Sequence, residues 1–161
     1  MRGLDGKGVL IVGGTSGIGL ATARRFLEEG SRLFVAGIED AEIKDTRQTL
    51  AELGTIDGLA GDVSVETDVD MIVAGATGSL SRIDVLINNA GVAHKAPFLE
   101  TATDAWDRTI AVNLRGMFLV ARAVGRPLAG GPRQAEGAGS APRPGDPDGR
   151  GVRLAEGQDP R

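Results

Sequence analysis

The chain has 161 residues, 41% of them hydrophobic, which suffices for one domain with an ordinary core. Its net charge of −4, without a basic cluster, makes nucleic acid an unexpected partner. The absence of cysteine excludes disulfides and thiolate nucleophiles, and no apolar run approaches the roughly 18 residues of a membrane span. The first eight residues, MRGLDGKG, do not form a signal peptide, so we expect a cytoplasmic protein that does not bind membranes.

The first predicted element is a strand over residues 9–12, followed directly by a glycine loop and a helix. The run VLIV has the length and β-branching of a buried parallel strand. Gly13 allows the tight turn, Gly17 leaves no side chain between backbone and a diphosphate, and Gly19 lets the helix pack close to the strand. The helix, which Gly30 ends, directs its N-terminal N–H groups at the anion. This order predicts dinucleotide binding; the alternative is a glycine-rich turn in an ordinary α/β protein.

A second strand over residues 33–36 and a polar helix over residues 40–53 complete a βαβ unit. After this strand an acidic side chain would accept from ribose hydroxyls, whereas a basic one would accommodate a 2′-phosphate. Glu39 lies about 20 residues beyond the last loop glycine, and no Arg or Lys occupies residues 37–40. NAD is therefore favoured over NADP, with Glu39 as the ribose ligand. Alternatively, Glu39 and Asp40 are only acids of the helix N-terminus.

The next elements are a strand over residues 56–60, a helix over residues 65–80 with Ser64 as N-cap, and a strand over residues 84–88. Strands that alternate with helices predict an α/β protein with a parallel sheet in three layers, the Rossmann fold, truncated after about four strands. Asn88 and the residue after it could merely close a turn. However, the carboxyl ends of the first and fourth strands border the switch point where ligands bind.

The last predicted helix starts near residue 104, is capped by Thr103, and runs to residue 126, with Pro127 as its stop. It presents an apolar face made of Ile110, Leu114, Met117, Phe118, Ala121 and Val124. Residues 1–128 are therefore predicted to form a truncated NAD(P)-binding domain.

The final segment, residues 129–161, is rich in Gly, Pro and Arg and shows neither helical nor strand periodicity. We predict that it is disordered. Gly, Pro, Arg and Ala are encoded by GC-rich codons, so we hypothesise that a frameshift or a mispredicted gene produced this tail; a natural truncated form is the alternative.

Four motifs together resemble the short-chain dehydrogenase/reductase family: GGTSGIG at residues 13–19, Asp62-Val63, NNAG at residues 88–91, and Asn113 within VNLRG. The resemblance covers about residues 4–126. The resemblance implies that the pyrophosphate is lined by Gly13, Ser16, Gly17, Ile18 and Gly19. It implies that the adenine is contacted by Asp62 and Val63, and that the nucleotide lies beside Asn89, Ala90 and Gly91. Asn113 matches a helix Asn whose backbone, in the family, holds a water in the proton relay to the catalytic Lys.

The resemblance implies an NAD(P)-dependent oxidoreductase that interconverts a small alcohol and a carbonyl compound by hydride transfer. In the family a Ser and a Tyr-x-x-x-Lys pair complete the catalytic site. This chain has no Tyr, no fifth strand is predicted after Pro127, and Ser140 lies in the tail, so we expect it to be inactive as written. The alternative is an inactive nucleotide-binding or dimerisation module that forms a homo-oligomer through the helix over residues 104–126.

Other polar residues give weaker indications. His94 and Lys95 follow NNAG, where His94 could be a general acid or the pair could be a solvated loop. Trp106 is interpreted as a packing residue and Arg108 as a charge on a solvated helix face. No His, Cys or acidic cluster has metal-ligand spacing, so no metal is expected.

Overall fold

The structure, a computed structural model, describes residues 3–129, which form a parallel sheet of four strands with helices on both faces. The strands are β1 (Gly8–Val12), β2 (Arg32–Gly37), β3 (Ile56–Ala60) and β4 (Val85–Asn88). The α-helices are α1 (Gly17–Glu28), α2 (Asp40–Leu50), α3 (Glu66–Leu80), α4 (Thr103–Ile110) and α5 (Met117–Ala129). Two 3₁₀ turns, Ala51–Leu53 and Phe98–Glu100, and a π-helix, Ala111–Gly116, complete the elements.

The strand order β3-β2-β1-β4 reverses direction at β1, as in a Rossmann fold. All three strand pairs are parallel. The prediction of a three-layer α/β fold with a parallel sheet is therefore confirmed, and the four predicted strands correspond to β1 through β4. Within the described residues, β3 and β4 form the two edges of the sheet.

The central strand β1 is buried along its whole length, because helices cover both of its faces. Leu10 and Val12 belong to a core cluster that includes buried residues of α3 and α5. Val9 and Ile11 belong to a second cluster on the opposite face, which includes buried residues of α1 and α2. The continuous apolar run in the sequence thus reflects burial on both sides of the sheet.

The start of β4 is fixed to β1 by backbone and side-chain hydrogen bonds. Gly8 N donates to Asp84 Oδ2 at 3.0 Å, and Asp84 N donates to Gly8 O at 2.7 Å. Hydrogen bonding from Arg82, and then from the Gly8 backbone, lowers the pKa of Asp84. The register that follows pairs Val12 with Asn88, so the carboxyl ends of β1 and β4 are level.

Two predicted helix caps are wrong. The N-cap of α3 is Val65, while the backbone N and Oγ of Ser64 both donate to Asp62 Oδ1, at 2.8 and 2.7 Å. The Ser64 hydroxyl, which was expected to cap the helix, therefore donates to the Asp62 carboxylate instead. Thr103 is the first residue of α4, and Ala102 is the N-cap.

The helix predicted over residues 104–126 is divided into α4, the π-helix and α5. The predicted stop at Pro127 is wrong by two residues, because α5 ends at Ala129 and Pro127 lies in its last turn. The predicted tail over residues 129–161 lies, apart from Ala129, outside the described residues.

The apolar residues of this helix divide between buried and exposed positions, and the expectation that Trp106 packs is wrong. Of the predicted apolar face, Val124 is buried, but Ile110, Leu114, Met117 and Phe118 are exposed. The opposite side packs inward because Gly116 comes close to Val63; a Cβ at Gly116 would lie 2.8 Å from Val63 Cγ2. Trp106, predicted to be a packing residue, is 56% exposed.

No helix among residues 3–129 is long and apolar enough to cross a lipid bilayer.

Candidate functional site

A cleft of about 260 Å³ opens at the carboxyl ends of the strands, where the sheet order reverses. It is lined by the loop between β1 and α1, the end of β2, the first turn of α2, the segment after β3, the loop after β4, and residues of α4 and the π-helix. Six predicted cofactor residues line it: Gly13, Ser16, Asp62, Val63, Ala90 and Gly91. The other predicted site residues are not among its lining residues: Gly17, Ile18, Gly19, Glu39, Asn89 and Asn113.

The glycine loop is packed directly against the loop after β4. Gly13 has φ of +78°, and a Cβ there would lie 2.6 Å from Ala90 N. At Gly19 a Cβ would lie 1.8 Å from the carbonyl oxygen of Gly13, which also accepts a hydrogen bond of 2.9 Å from Asn89 Nδ2. No side chain fits at either position while this packing is kept.

The same loop is held to β2 on its other side. The backbone N–H groups of Gly13 and Gly14 both donate to Ala36 O, at 2.7 and 3.2 Å. The loop is therefore held by hydrogen bonds between the ends of β2 and β4.

The start of α1 has the features of an anion site. Ser16 is its N-cap but makes no side-chain capping hydrogen bond, and Ser16 is exposed at the cleft. Gly17 has φ of +51°, and nothing lies within 4 Å of a Cβ placed there. Exposed N–H groups at a helix N-terminus, with open space in front of them, suit a phosphate or diphosphate.

Asp62 is the ionisable residue of the cleft whose pKa is shifted, and Arg108 contributes to the shift. Burial raises the pKa of Asp62, but hydrogen bonds from Ser64 and the charge and hydrogen bond of Arg108 outweigh it, so the pKa lies below its usual value. Arg108 approaches Asp62 Oδ2 to 2.9 Å and donates to Ser64 Oγ at 3.0 Å. The expectation that Arg108 is only a charge on a solvated helix face is therefore wrong. No sequence spacing connects Arg108 with Asp62 and Ser64, because Arg108 lies in α4 and the other two residues lie in the segment between β3 and α3.

Asn113 lies in the π-helix and braces the segment after NNAG. Its Oδ1 accepts from Val92 N and its Nδ2 donates to Val92 O, both at 2.8 Å. Asn88 Nδ2 donates to Met117 O at 2.9 Å. Two amide side chains therefore connect the loop after β4 to the helical segment opposite. The proton-relay role of the Asn113 backbone remains a prediction.

The acidic side chain that reaches the cleft near β2 is Glu42, from the first turn of α2. Thr15 Oγ1 donates to Glu42 Oε2 at 2.8 Å. Glu39 is the N-cap of α2 and makes no side-chain capping hydrogen bond. Sequence reasoning missed Glu42 and Thr15. Glu42 was nevertheless a visible candidate, because it is a carboxylate near the start of the helix predicted after the second strand.

A second, larger cleft of about 760 Å³ adjoins the first, and Val92 lines both. Its other lining residues include His94, Trp106 and Asn113. Among residues 3–129, no group of three or more His, Cys, Asp or Glu side chains could hold a metal ion.

Comparison with known proteins gives consistent matches. The family model described as short chain dehydrogenase matches residues 7–138. The D-threitol dehydrogenase of Mycolicibacterium smegmatis is 39% identical over 125 residues, which cover 76% of this chain and 48% of that protein.

Two solved structures are similar over the same region. The structure of NAD⁺-bound xylitol dehydrogenase has a TM-score of 0.74 and 30% identity, and the match covers 78% of this chain and 49% of that one. A variant of actinorhodin polyketide ketoreductase solved with NADPH has a TM-score of 0.73 and 34% identity, with coverage of 78% and 49%. This chain spans about half the length of the curated relatives it matches.

Proposed function

The chain belongs to the short-chain dehydrogenase family, and we propose that it binds a nicotinamide dinucleotide as the cofactor-binding part of an oxidoreductase. The observation that carries the proposal is the cleft at the switch point, which Gly13 and Ser16 line at the start of α1, where Ser16 makes no side-chain capping hydrogen bond. A backbone anion site at the switch point of a parallel sheet is where a dinucleotide diphosphate binds in this architecture.

The residues present fit each part of such a cofactor. We assign the diphosphate to the loop over residues 13–19, including Ser16 and Ile18, and the adenine to Asp62 and Val63. Asn89 Nδ2 donates to the carbonyl oxygen of Gly13. Ala90 and Gly91 line the cleft and leave room for the nucleotide because both residues are small. When bound, the nicotinamide supplies the hydride donor or acceptor for an alcohol or carbonyl substrate.

Catalysis also requires an acid that exchanges a proton with the substrate oxygen. The 161 residues contain no tyrosine, so these residues alone cannot supply a phenol. We therefore propose that this chain, by itself, binds the dinucleotide without converting substrates. The proposal includes NAD in preference to NADP, and a location in the cytoplasm.

The first experiment titrates the 161-residue chain with NADH and follows the fluorescence of the reduced nicotinamide. We expect saturable binding that Gly17→Asn weakens by at least about tenfold, or 1.4 kcal/mol, because the side chain enters the open space, while Asn tolerates the φ of +51° better than other side chains do. Gly78→Ala, in an open part of α3, is the matched control and should bind as the unmodified chain does. If neither NADH nor NADPH binds the folded chain, the proposal is wrong.

The second experiment measures oxidation of NADH and NADPH with a panel of ketones and aldehydes, and reduction of NAD⁺ and NADP⁺ with alcohols. We expect no turnover above that of the free cofactor. Clear turnover would contradict the proposal, and loss of that turnover in His94→Gln would then identify His94, which lines the adjoining cleft, as the acid.

The second candidate function is an inactive nucleotide-binding or dimerisation module. The observation that favours it is the exposed apolar face formed by Ile110, Leu114, Met117 and Phe118. Sedimentation velocity tests it: a dimer that Leu114→Glu dissociates would support self-association through this face. A monomer at all concentrations would contradict it.

The separate origin of residues 129–161 remains a proposal. The coding DNA downstream of Leu128 tests it, because a shifted frame should encode a strand followed by Tyr-x-x-x-Lys. If neither of the other frames encodes such a segment, the frameshift hypothesis is wrong.

A further inference from the structure

We propose that Glu42, held in place by Thr15, is the residue through which this cleft discriminates against a 2′-phosphate on the adenosine ribose. The inference rests on the proposed function, since it concerns the cofactor of that same cleft. It assigns the discrimination to a residue of α2, whereas the sequence spacing predicted Glu39.

The first step of the argument is the position of the carboxylate. Glu42 and Thr15 both line the cleft, and the Thr15 hydroxyl donates to Glu42 Oε2 at 2.8 Å. The bond joins the glycine loop to α2 and holds an exposed glutamate against the cleft. Glu39, by contrast, is not among the residues that line it.

The second step is the glycine at the end of β2. A Cβ at Gly37 would lie 2.8 Å from Thr15 Cγ2 and 3.1 Å from Thr15 Oγ1. Thr15 therefore lies over the position where a side chain at the strand end would project. Gly37 leaves this space to Thr15, and the acidic group that lines the cleft comes from the next helix, as Glu42.

The third step is charge. Thr15 occupies one oxygen of the carboxylate, and the remaining acceptor capacity suits a ribose hydroxyl, which can donate. A 2′-phosphate cannot donate in its ionised form and is repelled by the carboxylate. Among the described residues that line the cleft, Arg108 is the only cation, and it is paired with Asp62 at 2.9 Å. No unpaired lysine or arginine of this lining would compensate a phosphate.

The test compares the dissociation constants of NADH and NADPH for the 161-residue chain and its variants by fluorescence titration. In Glu42→Gln, which removes the charge and keeps an acceptor for Thr15, we expect the ratio of Kd for NADPH to Kd for NADH to fall about tenfold at low salt. In Thr15→Val we expect a smaller fall of about threefold, because the carboxylate loses its fixed position. The discrimination should also weaken as salt rises to several tenths molar, since ions screen an exposed charge.

Asp45→Asn is the matched control, because it removes one exposed negative charge from the same helix away from the cleft. Its Kd ratio should stay within a factor of two or so of the original. An unchanged ratio in Glu42→Gln, an equal change in Asp45→Asn, or a change in Glu39→Gln alone would overturn the inference while leaving the proposed function intact. A folded chain that binds neither cofactor would overturn both. Circular dichroism of each variant verifies folding.

Discussion

Because Gly19 has no side chain, the start of α1 can lie directly against Gly13 and Asn89, which belong to the glycine loop and the loop after β4. The carbonyl oxygen of Gly13 occupies the space that a Cβ of Gly19 would need, and Asn89 donates to the same oxygen. A methyl group at this position has to displace the loop, the helix or the Asn89 hydrogen bond.

We predict that Gly19→Ala lowers the free energy of unfolding by about 1–3 kcal/mol, as overpacking does, and weakens NADH binding. Gly78→Ala should instead raise it by about 0.5–1 kcal/mol, because Gly78 lies in α3 with open space around it. Urea unfolding measures both. Equal midpoints for Gly19→Ala and the unmodified chain would show that the close approach is not there.

Asp62 gives a prediction about pH. Its pKa is lowered in the folded chain from a reference value of 3.8, so the ionised carboxylate stabilises the fold. This contribution is fully present above the unfolded pKa and is lost as the pH falls through the lower folded pKa.

We therefore expect the stability difference between the unmodified chain and Asp62→Asn to be constant above about pH 5 and to shrink as the pH falls below about 4. Urea unfolding at a series of pH values measures it. A difference that grows as the pH falls would mean that the pKa of Asp62 is raised instead.

Residue-scale prediction from the sequence succeeded where local geometry decides and failed where partners are distant. The glycine spacing indicated a tight turn at Gly13 and a close approach at Gly19; Gly13 has φ of +78°, and a Cβ at Gly19 would lie 1.8 Å from Gly13 O. It could not identify Ala90 as a partner, nor pair Asp62 with Arg108, because such contacts depend on which strand ends become neighbours. Ser64 shows the converse: its hydroxyl could accept from the first N–H groups of α3, or donate to Asp62 and accept from Arg108, and propensity alone could not choose between them.

At the scale of elements, the π-helix connects the loop after β4 to the rest of the domain. Asn113 makes its two hydrogen bonds to Val92 from within it, and its last residue, Gly116, packs close to Val63. Single π-helical turns inside longer helices are frequent at functional positions.

We predict that Asn113→Ala lowers the free energy of unfolding by about 0.5–1.5 kcal/mol, because both polar groups of Val92 lose this partner but lie where water can replace it. The effect should be local. Hydrogen exchange of the Val92 amide should accelerate more than that of β1, and equal acceleration of both would contradict the bracing role.

The inward face of α5 gives a second element-scale prediction. Val120 is fully buried in the core cluster that contains α3, so Val120→Ala should lower the free energy of unfolding by about 1–3 kcal/mol. Met71→Ala, at an exposed position of α3, should change it by less than about 0.5 kcal/mol. Thermal unfolding compares them. A larger effect at Met71 would mean that the helices pack through other faces.

The elements themselves were predictable because the apolar periodicity of each is strong. The continuity of the last helix was not, because a π-helix has no distinct periodicity in six residues. Both sides of this helix carry apolar residues, so hydrophobicity could not decide which side faces the sheet. The close approach at Gly116 decides it.

At the scale of the whole molecule, the cleft exists only when segments far apart in sequence have come together. The alternation of strands and helices predicted a parallel α/β sheet, and the observed order β3-β2-β1-β4 is that of the Rossmann fold. What the pattern could not specify is which side chains the separate segments bring to one cleft; Glu42 and Arg108 are the two cases described above.

Because only the folded state forms the cleft, bound NADH should stabilise the whole unit. At about 100 times its Kd, we expect the free energy of unfolding to rise by about 2.7 kcal/mol. Differential scanning calorimetry across an NADH series measures this, with adenine alone as the weaker control. A melting temperature that does not depend on NADH would contradict binding to the folded state.

The pairing of β1 with β4 also determines how late during translation the cofactor site can form. Asn89 follows Gly13 by 76 residues, and the ribosome adds about 5–20 residues per second, so about 4–15 seconds separate the two. During that interval the glycine loop is already made but lacks the Asn89 side chain that holds its carbonyl. We therefore expect nascent chains that end before residue 84 to bind no cofactor, which makes cofactor capture a late event in the life of the growing chain.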